Sequence, residues 1–217
     1  MILEAFVFDL DGVITDTAEY HYRAWKRLAD EEAIPFSRED NEKLRGISRR
    51  QSLQVLLKGR SLPEDEMEAW MARKNNYYRA YLAEITPGDL LPGVETLFHE
   101  ARANGIKLGV ASASKNAVDV INNLQIAHLL DAVGDGYCVS NPKPAPDLFI
   151  WVAGRLNVYP ARTAVFEDAE AGIAAALKAG MFAVGLGPQE RVGQAHLVFP
   201  NLANVALVDI VSPDNSA

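Results

Sequence analysis

Cysteine is nearly absent from this 217-residue chain: Cys138 stands alone, so no internal disulfide can form. A reducing cytoplasm is the expected setting, and Cys138 reads as a small buried hydrophobe. Positive charge is also scarce. Against 29 Asp and Glu there are 21 Lys and Arg, a formal net charge of −8. No nucleic-acid partner is expected, because nothing neutralises a phosphate backbone wholesale. A single phosphorylated small molecule, held by a few local cations, is still compatible. No run approaches the ~20 apolar residues of a membrane helix. The N-terminus has no basic region leading into an apolar stretch, since Asp9 and Asp11 interrupt it. No membrane partner is expected either, and a monomer is. Internal repeats and low-complexity tracts are missing.

What is present is a recurring short apolar run. Residues 5–10 (AFVFDL), 107–111 (KLGVA), 163–166 (TAVF) and 182–186 (FAVGL) have the near-continuous apolar texture of buried parallel strands, with a weaker run at 197–199 (LVF). Helical spacing lies between them. Val94, Leu97, Phe98 and Ala101 form one stripe; Ala117, Val120, Ile121 and Leu124 a second; Leu148, Phe149, Val152, Ala153 and Leu156 a third; Ile173, Ala176 and Leu177, ending at Gly180, a fourth. Strands alternating with helices predict an α/β fold, a doubly wound parallel sheet of Rossmann-like type.

Residues 16–87 differ. They carry helical patterns at 17–33, 38–44, 50–57 and 63–83 and no convincing strand, and they end in the Pro/Gly-rich ITPGDLLPG. The expected organisation is a core made of 1–15 and 88–217, with a helical cap at 16–87 inserted after the first strand. Ligands of open α/β sheets bind at the carboxyl ends of strands, so the cap is placed to act as a lid.

Those carboxyl ends hold the chemistry. Asp9 and Asp11 follow the first strand. Ser112, Ala113, Ser114, Lys115 and Asn116 follow the second. Lys143, in SNPKPAPD, precedes the helix at 146, and Glu167 and Asp168 follow the strand at 163–166. Four acids beside lysines, serines and an asparagine suggest a metal site next to an anion site. Mg2+ prefers hard oxygen ligands, usually one or two carboxylates with waters and phosphate. Asp9 and Asp168 suit direct ligation, Glu167 direct or water-mediated ligation, and Asp11 completes the acidic set. Lys143 can neutralise phosphate charge, while Ser112 and backbone N–H groups supply neutral donors. Asp9, ionised, can attack phosphorus; Asp11 can hold a proton and serve as general acid and base.

Each feature alone has an ordinary explanation. Asp-x-Asp is common in loops, Ser114 suits a helix N-cap, Glu167 and Asp168 suit a helix start, and Lys143 suits a solvated loop. Their joint occurrence at successive strand ends is what chance does not supply.

DLDGV at 9–13, the Ser after the second strand, the Lys before the next helix and FEDA at 166–169 resemble the haloacid-dehalogenase-like hydrolase superfamily over essentially the whole chain. The resemblance implies Mg2+-dependent chemistry through a phosphorylated aspartate, Asp9, with Asp11 as acid/base. Dehalogenases and phosphonatases of the superfamily lack the second aspartate, so Asp11 argues against both. LRGISRRQSL at 44–53, VASASKN at 110–116 and SNPKPAPDLF at 140–149 are similar to the β-phosphoglucomutase family, which implies a phosphorylated hexose as substrate. By that resemblance Thr17 and His21 assist positioning and closure near Asp11. Arg49, Ser114, Lys115 and Asn116 hold the non-transferring phosphate, and Ser112, Ala113 and Lys143 the transferring one. Gly46, Ser52, Lys74 and Tyr78 line the cap side of the sugar site, and Trp25 belongs to the cap core and touches the sugar. The family often has lysine where Arg45 stands, which keeps the charge and changes the contact geometry. A mutase needs two phosphate anchors, and Arg49 with Lys115 and Asn116 offers the second. A sugar-phosphate phosphatase and a non-catalytic phosphosugar binder are the alternatives.

Overall fold

A computed structural model describes residues 2–212. Six parallel strands make one sheet: β1 (Ala5–Phe8), β2 (Lys107–Ala111), β3 (Ala132–Gly134), β4 (Thr163–Glu167), β5 (Phe182–Leu186) and β6 (Leu197–Phe199), in the spatial order β3-β2-β1-β4-β5-β6. Alternation along β1 separates the two faces. Phe6 and Phe8 join a cluster with Phe98, Val110 and Phe166, whereas Ala5 and Val7 join one with Phe149, Val152 and Ile173. Both faces are therefore covered, as an all-parallel sheet requires. The Phe8 ring stacks on Phe166 with centroids 4.3 Å apart.

The helices of the core are α5 (Val94–Ala103), α6 (Ala117–Asn123), α7 (Asp147–Leu156), α8 (Glu170–Lys178), α9 (Gln189–Val192) and α10 (Leu207–Val211), and those between β1 and α5 are α1 (Ala18–Glu31), α2 (Arg38–Glu42), α3 (Arg49–Leu56) and α4 (Glu64–Leu82). Helices α1 to α4 share a buried cluster of their own, centred on Leu28, Leu53, Leu56 and Trp70 with Trp25 beside them. The short α2 and α3 start on reciprocal capping boxes, Ser37 with Asp40 and Ser48 with Gln51, which satisfy N–H groups that so few turns leave open. The two chain crossings into this helical unit run side by side. Leu91 N–H donates to the Ile14 carbonyl at 2.9 Å, and Thr15 Oγ1 donates to the Asp89 carbonyl at 2.8 Å. That junction sits just past β1 and hangs the helical unit over the carboxyl ends of the strands.

Beyond shifts of one or two residues at element ends, as where β4 runs on to Glu167, the first strand and the sheet edge differ from the sequence expectation. The first strand ends at Phe8 instead of Leu10, although Asp9 N–H still donates to the Phe166 carbonyl at 2.9 Å. Strand β3 has no counterpart in the predicted set: three residues at a sheet edge carry too little pattern to be legible. No helix among the described residues is long and apolar enough to cross a membrane.

Candidate active site

The register of β1 against β2 and β4 pairs Phe8 with Val110 on one side and with Phe166 on the other. The residues at and just beyond each strand end are therefore brought abreast. Asp9, Glu167 and Asp168, all buried, offer carboxylate oxygens that lie within 4.8 Å of one another. Lys143 Nζ, with no exposure, donates to Asp9 Oδ1 at 2.6 Å, to Glu167 Oε1 at 2.5 Å and to the Ala111 carbonyl at 3.0 Å. Burial pulls the ammonium's pKa down, but the two carboxylates outweigh it and hold Lys143 above its ordinary value.

Lys143 pairs with two of the three acids, and Asp168 is met instead by Arg45 and Arg191. Burial above all, with the neighbouring carboxylates, pushes Glu167 up to about 8 despite Lys143, and Asp168 up to about 7. Three convergent, buried hard oxygen donors are the donor set a small divalent cation fits. Mg2+ suits Asp9, Glu167 and Asp168. The Asp11 carboxylate lies outside this group, so of the four acids expected to hold metal, three side chains converge.

Asp11 faces the other way. Its backbone N–H donates to Asp9 Oδ2 at 2.9 Å, fixing the nucleophile candidate, while its carboxylate accepts from the Thr17 hydroxyl and, at 3.4 Å, from Ser112 Oγ. Burial first, then the charge of Asp9, raises Asp11 to about 6, against the opposing pull of Thr17, Lys143 and Lys74. A carboxyl poised there can take or give a proton near neutrality. The turn that follows the two aspartates depends on Gly12. Its φ is +89°, and a Cβ would stand 2.4 Å from Asp168 Oδ2.

Above Asp11 lies a basic, aromatic wall. His21 Nε2 is 3.9 Å from Asp11 Oδ1, and its Nδ1 pairs with Lys74 Nζ at 3.0 Å. A proton on Nε2 is the tautomer that would let Nδ1 accept from Lys74 while Nε2 faces Asp11. Burial, then Lys74 and Arg49, keeps His21 well below its ordinary pKa, and burial, then Arg49, does the same to Lys74. Lys74 also lies over the Trp25 and Tyr78 rings.

The cleft between the two units is lined by Asp9, Asp11, Thr17, His21, Trp25, Arg45, Gly46, Arg49, Ser52, Lys74, Ala113, Ser114, Lys115 and Asn116, all expected from sequence. Its free space is about 80 Å3, against roughly 300 Å3 and more for ordinary ligand pockets. A wider cleft of about 710 Å3 shares Arg49, Ala113 and Lys115 with it and reaches Lys143, so the helical unit does not close the whole junction. Ser112 is fully buried beside Asp11 instead of lining the cleft, and Lys143 stands behind Asp9. Tyr78 does not line the cleft: its ring packs 4.1 Å from His21 and joins the main core, so it backs the cleft wall. Arg45 reaches the cleft with its guanidinium engaged by Glu42 and Asp168.

Sequence reasoning missed Asn75. Its Oδ1 accepts from Arg49 Nη2 at 2.7 Å and from Asn116 Nδ2 at 2.9 Å, joining α3, α4 and the core in one contact. It also missed Asn41, which lines the cleft, and Arg191, 3.9 Å from Asp168.

With the geometry established, the comparisons are specific. The family described as haloacid dehalogenase-like hydrolase matches residues 3–180. The chain belongs to the haloacid dehalogenase-like hydrolase family. It is an enzyme of that superfamily. It is similar to the β-phosphoglucomutase of Bacillus subtilis (strain 168), 44% identical over 94% of this chain and 92% of that protein. It is also similar to the fructose-1-phosphate phosphatase YqaB of Escherichia coli (strain K12), 32% identical over 82% of this chain and 93% of that one. Among solved structures, a β-phosphoglucomutase from Clostridium difficile superposes with a TM-score of 0.93 at 44% identity, covering 96% of each chain. Relatives named as a mutase and as a phosphatase therefore both match most of the chain.

Proposed function

We propose that this protein is a Mg2+-dependent β-phosphoglucomutase, interconverting β-D-glucose 1-phosphate and D-glucose 6-phosphate through a phospho-aspartate and β-glucose 1,6-bisphosphate. The observation that carries the reading is extra positive charge in the cleft. Arg49 and Asn116 meet on Asn75, and Lys115 lines the same cleft, a second cationic group in addition to Lys143. A bisphosphate needs an anchor at each end, and a guanidinium is well shaped for phosphate. The likeness to two β-phosphoglucomutases supports the same reading.

The chain's own groups divide the work. Phospho-Asp9 gives its phosphoryl group to the 6-hydroxyl of β-glucose 1-phosphate, and Asp11 takes the hydroxyl proton. The bisphosphate then turns end for end. Asp9 takes the 1-phosphoryl group, Asp11 protonates the departing oxygen, and glucose 6-phosphate leaves. Thr17 and His21 hold Asp11 in place for both proton transfers. Mg2+ held by Asp9, Glu167 and Asp168 would supply charge neutralisation on the transferring group, the largest part of phosphoryl-transfer catalysis. Lys143 adds a fixed positive charge beside Asp9. Closure of the helical unit excludes water, which would otherwise hydrolyse phospho-Asp9.

A sugar-phosphate phosphatase would use the same core with water in place of the 6-hydroxyl, and the likeness to YqaB favours keeping it in view. Phosphorus NMR separates the two. With β-glucose 1-phosphate, a trace of bisphosphate primer and Mg2+, glucose 6-phosphate accumulates if the mutase reading is right. Inorganic phosphate as the main product establishes the phosphatase instead.

A further inference from the structure

Asp168 is gripped from two sides. From the helical cap, Arg45 Nη1 pairs with its Oδ2 at 3.0 Å; from the core, Arg191 Nη2 stands 3.9 Å from the same oxygen. Glu42, in α2, ties the pair together. It accepts from Arg45 Nε at 2.7 Å and lies 3.7 Å from Arg191 Nη1. The backbone makes room for both guanidiniums. A Cβ on Gly12 would stand 3.3 Å from Arg45 Nη1, and one on Gly187, whose φ is +126°, would stand 2.7 Å from Arg191 Nη2. Asp168 is only 6% exposed, so solvent screens these contacts weakly.

We propose that Arg45 and Arg191 are positioning residues for Asp168, and that the Arg45 contact latches the cap to the core in competition with the divalent cation. The proposal rests on the reading that Asp9, Glu167 and Asp168 hold that cation. A guanidinium on Oδ2 takes up carboxylate charge that a metal ion would otherwise use, and it places a second positive charge close to the metal. The latched cap therefore lowers metal affinity. By thermodynamic reciprocity, the bound cation loosens the latch by the same factor. Metal loading and cap opening become one linked equilibrium, with Arg45 as the only member carried on the moving unit that touches a metal-site acid directly among the described residues.

The test is calorimetric titration of Mg2+ into wild type, Arg45→Gln, Arg45→Lys and Arg191→Gln, each checked for a folded far-UV spectrum. Amide exchange of the peptide spanning Asn41 to Ile47 is followed with and without Mg2+. Arg45→Gln is expected to bind Mg2+ about fivefold or more tightly than wild type, Arg191→Gln to shift the same way by less, and Arg45→Lys to stay near wild type. Mg2+ should speed exchange of that peptide in wild type and leave it unchanged in Arg45→Gln. Equal or weaker Mg2+ binding by both Gln variants overturns the proposal, as does exchange indifferent to Mg2+ in wild type. A wild type that binds no Mg2+ removes the cation reading and the latch together, whereas normal wild-type binding with no effect in the variants removes the latch alone.

Discussion

Lys143 Nζ lies 2.6 Å from Asp9 Oδ1, with the lysine wholly buried and the aspartate nearly so. The same ammonium holds Glu167. Removing one partner of a buried ion pair strands the other charges in a medium that solvates them poorly. Lys143→Met should therefore destabilise the metal-free protein by about 3–5 kcal/mol. Mg2+ should recover part of that loss, because it offsets the same carboxylates. Urea melts in chelator and in Mg2+ check both statements.

Asn75 contacts Arg49 and Asn116 through one carbonyl oxygen, so it orients the proposed second phosphate anchor across the two units. Asn75→Ala should raise KM for the sugar phosphate by about tenfold, the loss of one hydrogen bond to a charged group. The effect on kcat should be smaller. Steady-state kinetics separates the two.

Lys74 is buried, and its pKa falls well below the ordinary 10.5. The unfolded chain keeps the proton up to that value and the folded chain releases it earlier. This lysine therefore costs stability at neutral pH, and the cost fades as pH rises toward 10.5. Lys74→Met should raise the neutral-pH melting temperature by about 2–4 °C for each ~1 kcal/mol recovered. The gain over wild type should shrink as pH climbs through that window. Melting curves from pH 7 to 10.5 read the trend, and sugar-phosphate binding should weaken in the same variant.

Chelation offers a simpler check. Stripping divalent cations should abolish turnover and leave the fold intact, since Lys143 still pairs with Asp9 and Glu167. A calorimetric melt with and without chelator, beside the turnover assay, reads both.

Much of this was legible in the sequence for identifiable reasons. Asp9, Lys143, Glu167 and Asp168 each end or follow a strongly apolar strand, or open a helix, so periodicity located them and the strand-end rule brought them together. The ring of Tyr78 sits behind His21 because a helix face alone does not tell lining from backing. Asn75, Glu42 and Arg191 carry no motif. Asn75 stands three residues before Tyr78 on α4, and that spacing was its only cue. Arg191 follows β5, so the strand-end rule extended by one strand would have reached it. The orientation of Arg45 toward Asp168 depends on how the helical unit sits on the core, and no local pattern encodes that.

Asp9 as the phosphoryl carrier is the claim on which the rest depends. Incubating the protein briefly with β-glucose 1,6-bisphosphate and Mg2+, quenching in acid and weighing the intact chain tests it directly. The expected result is a species heavier by one phosphoryl group, mapped to the peptide holding Asp9 and missing from Asp9→Asn, whose turnover should also fall by at least about 1000-fold. An unmodified chain during active turnover, or a phosphoryl group on another residue, would contradict it.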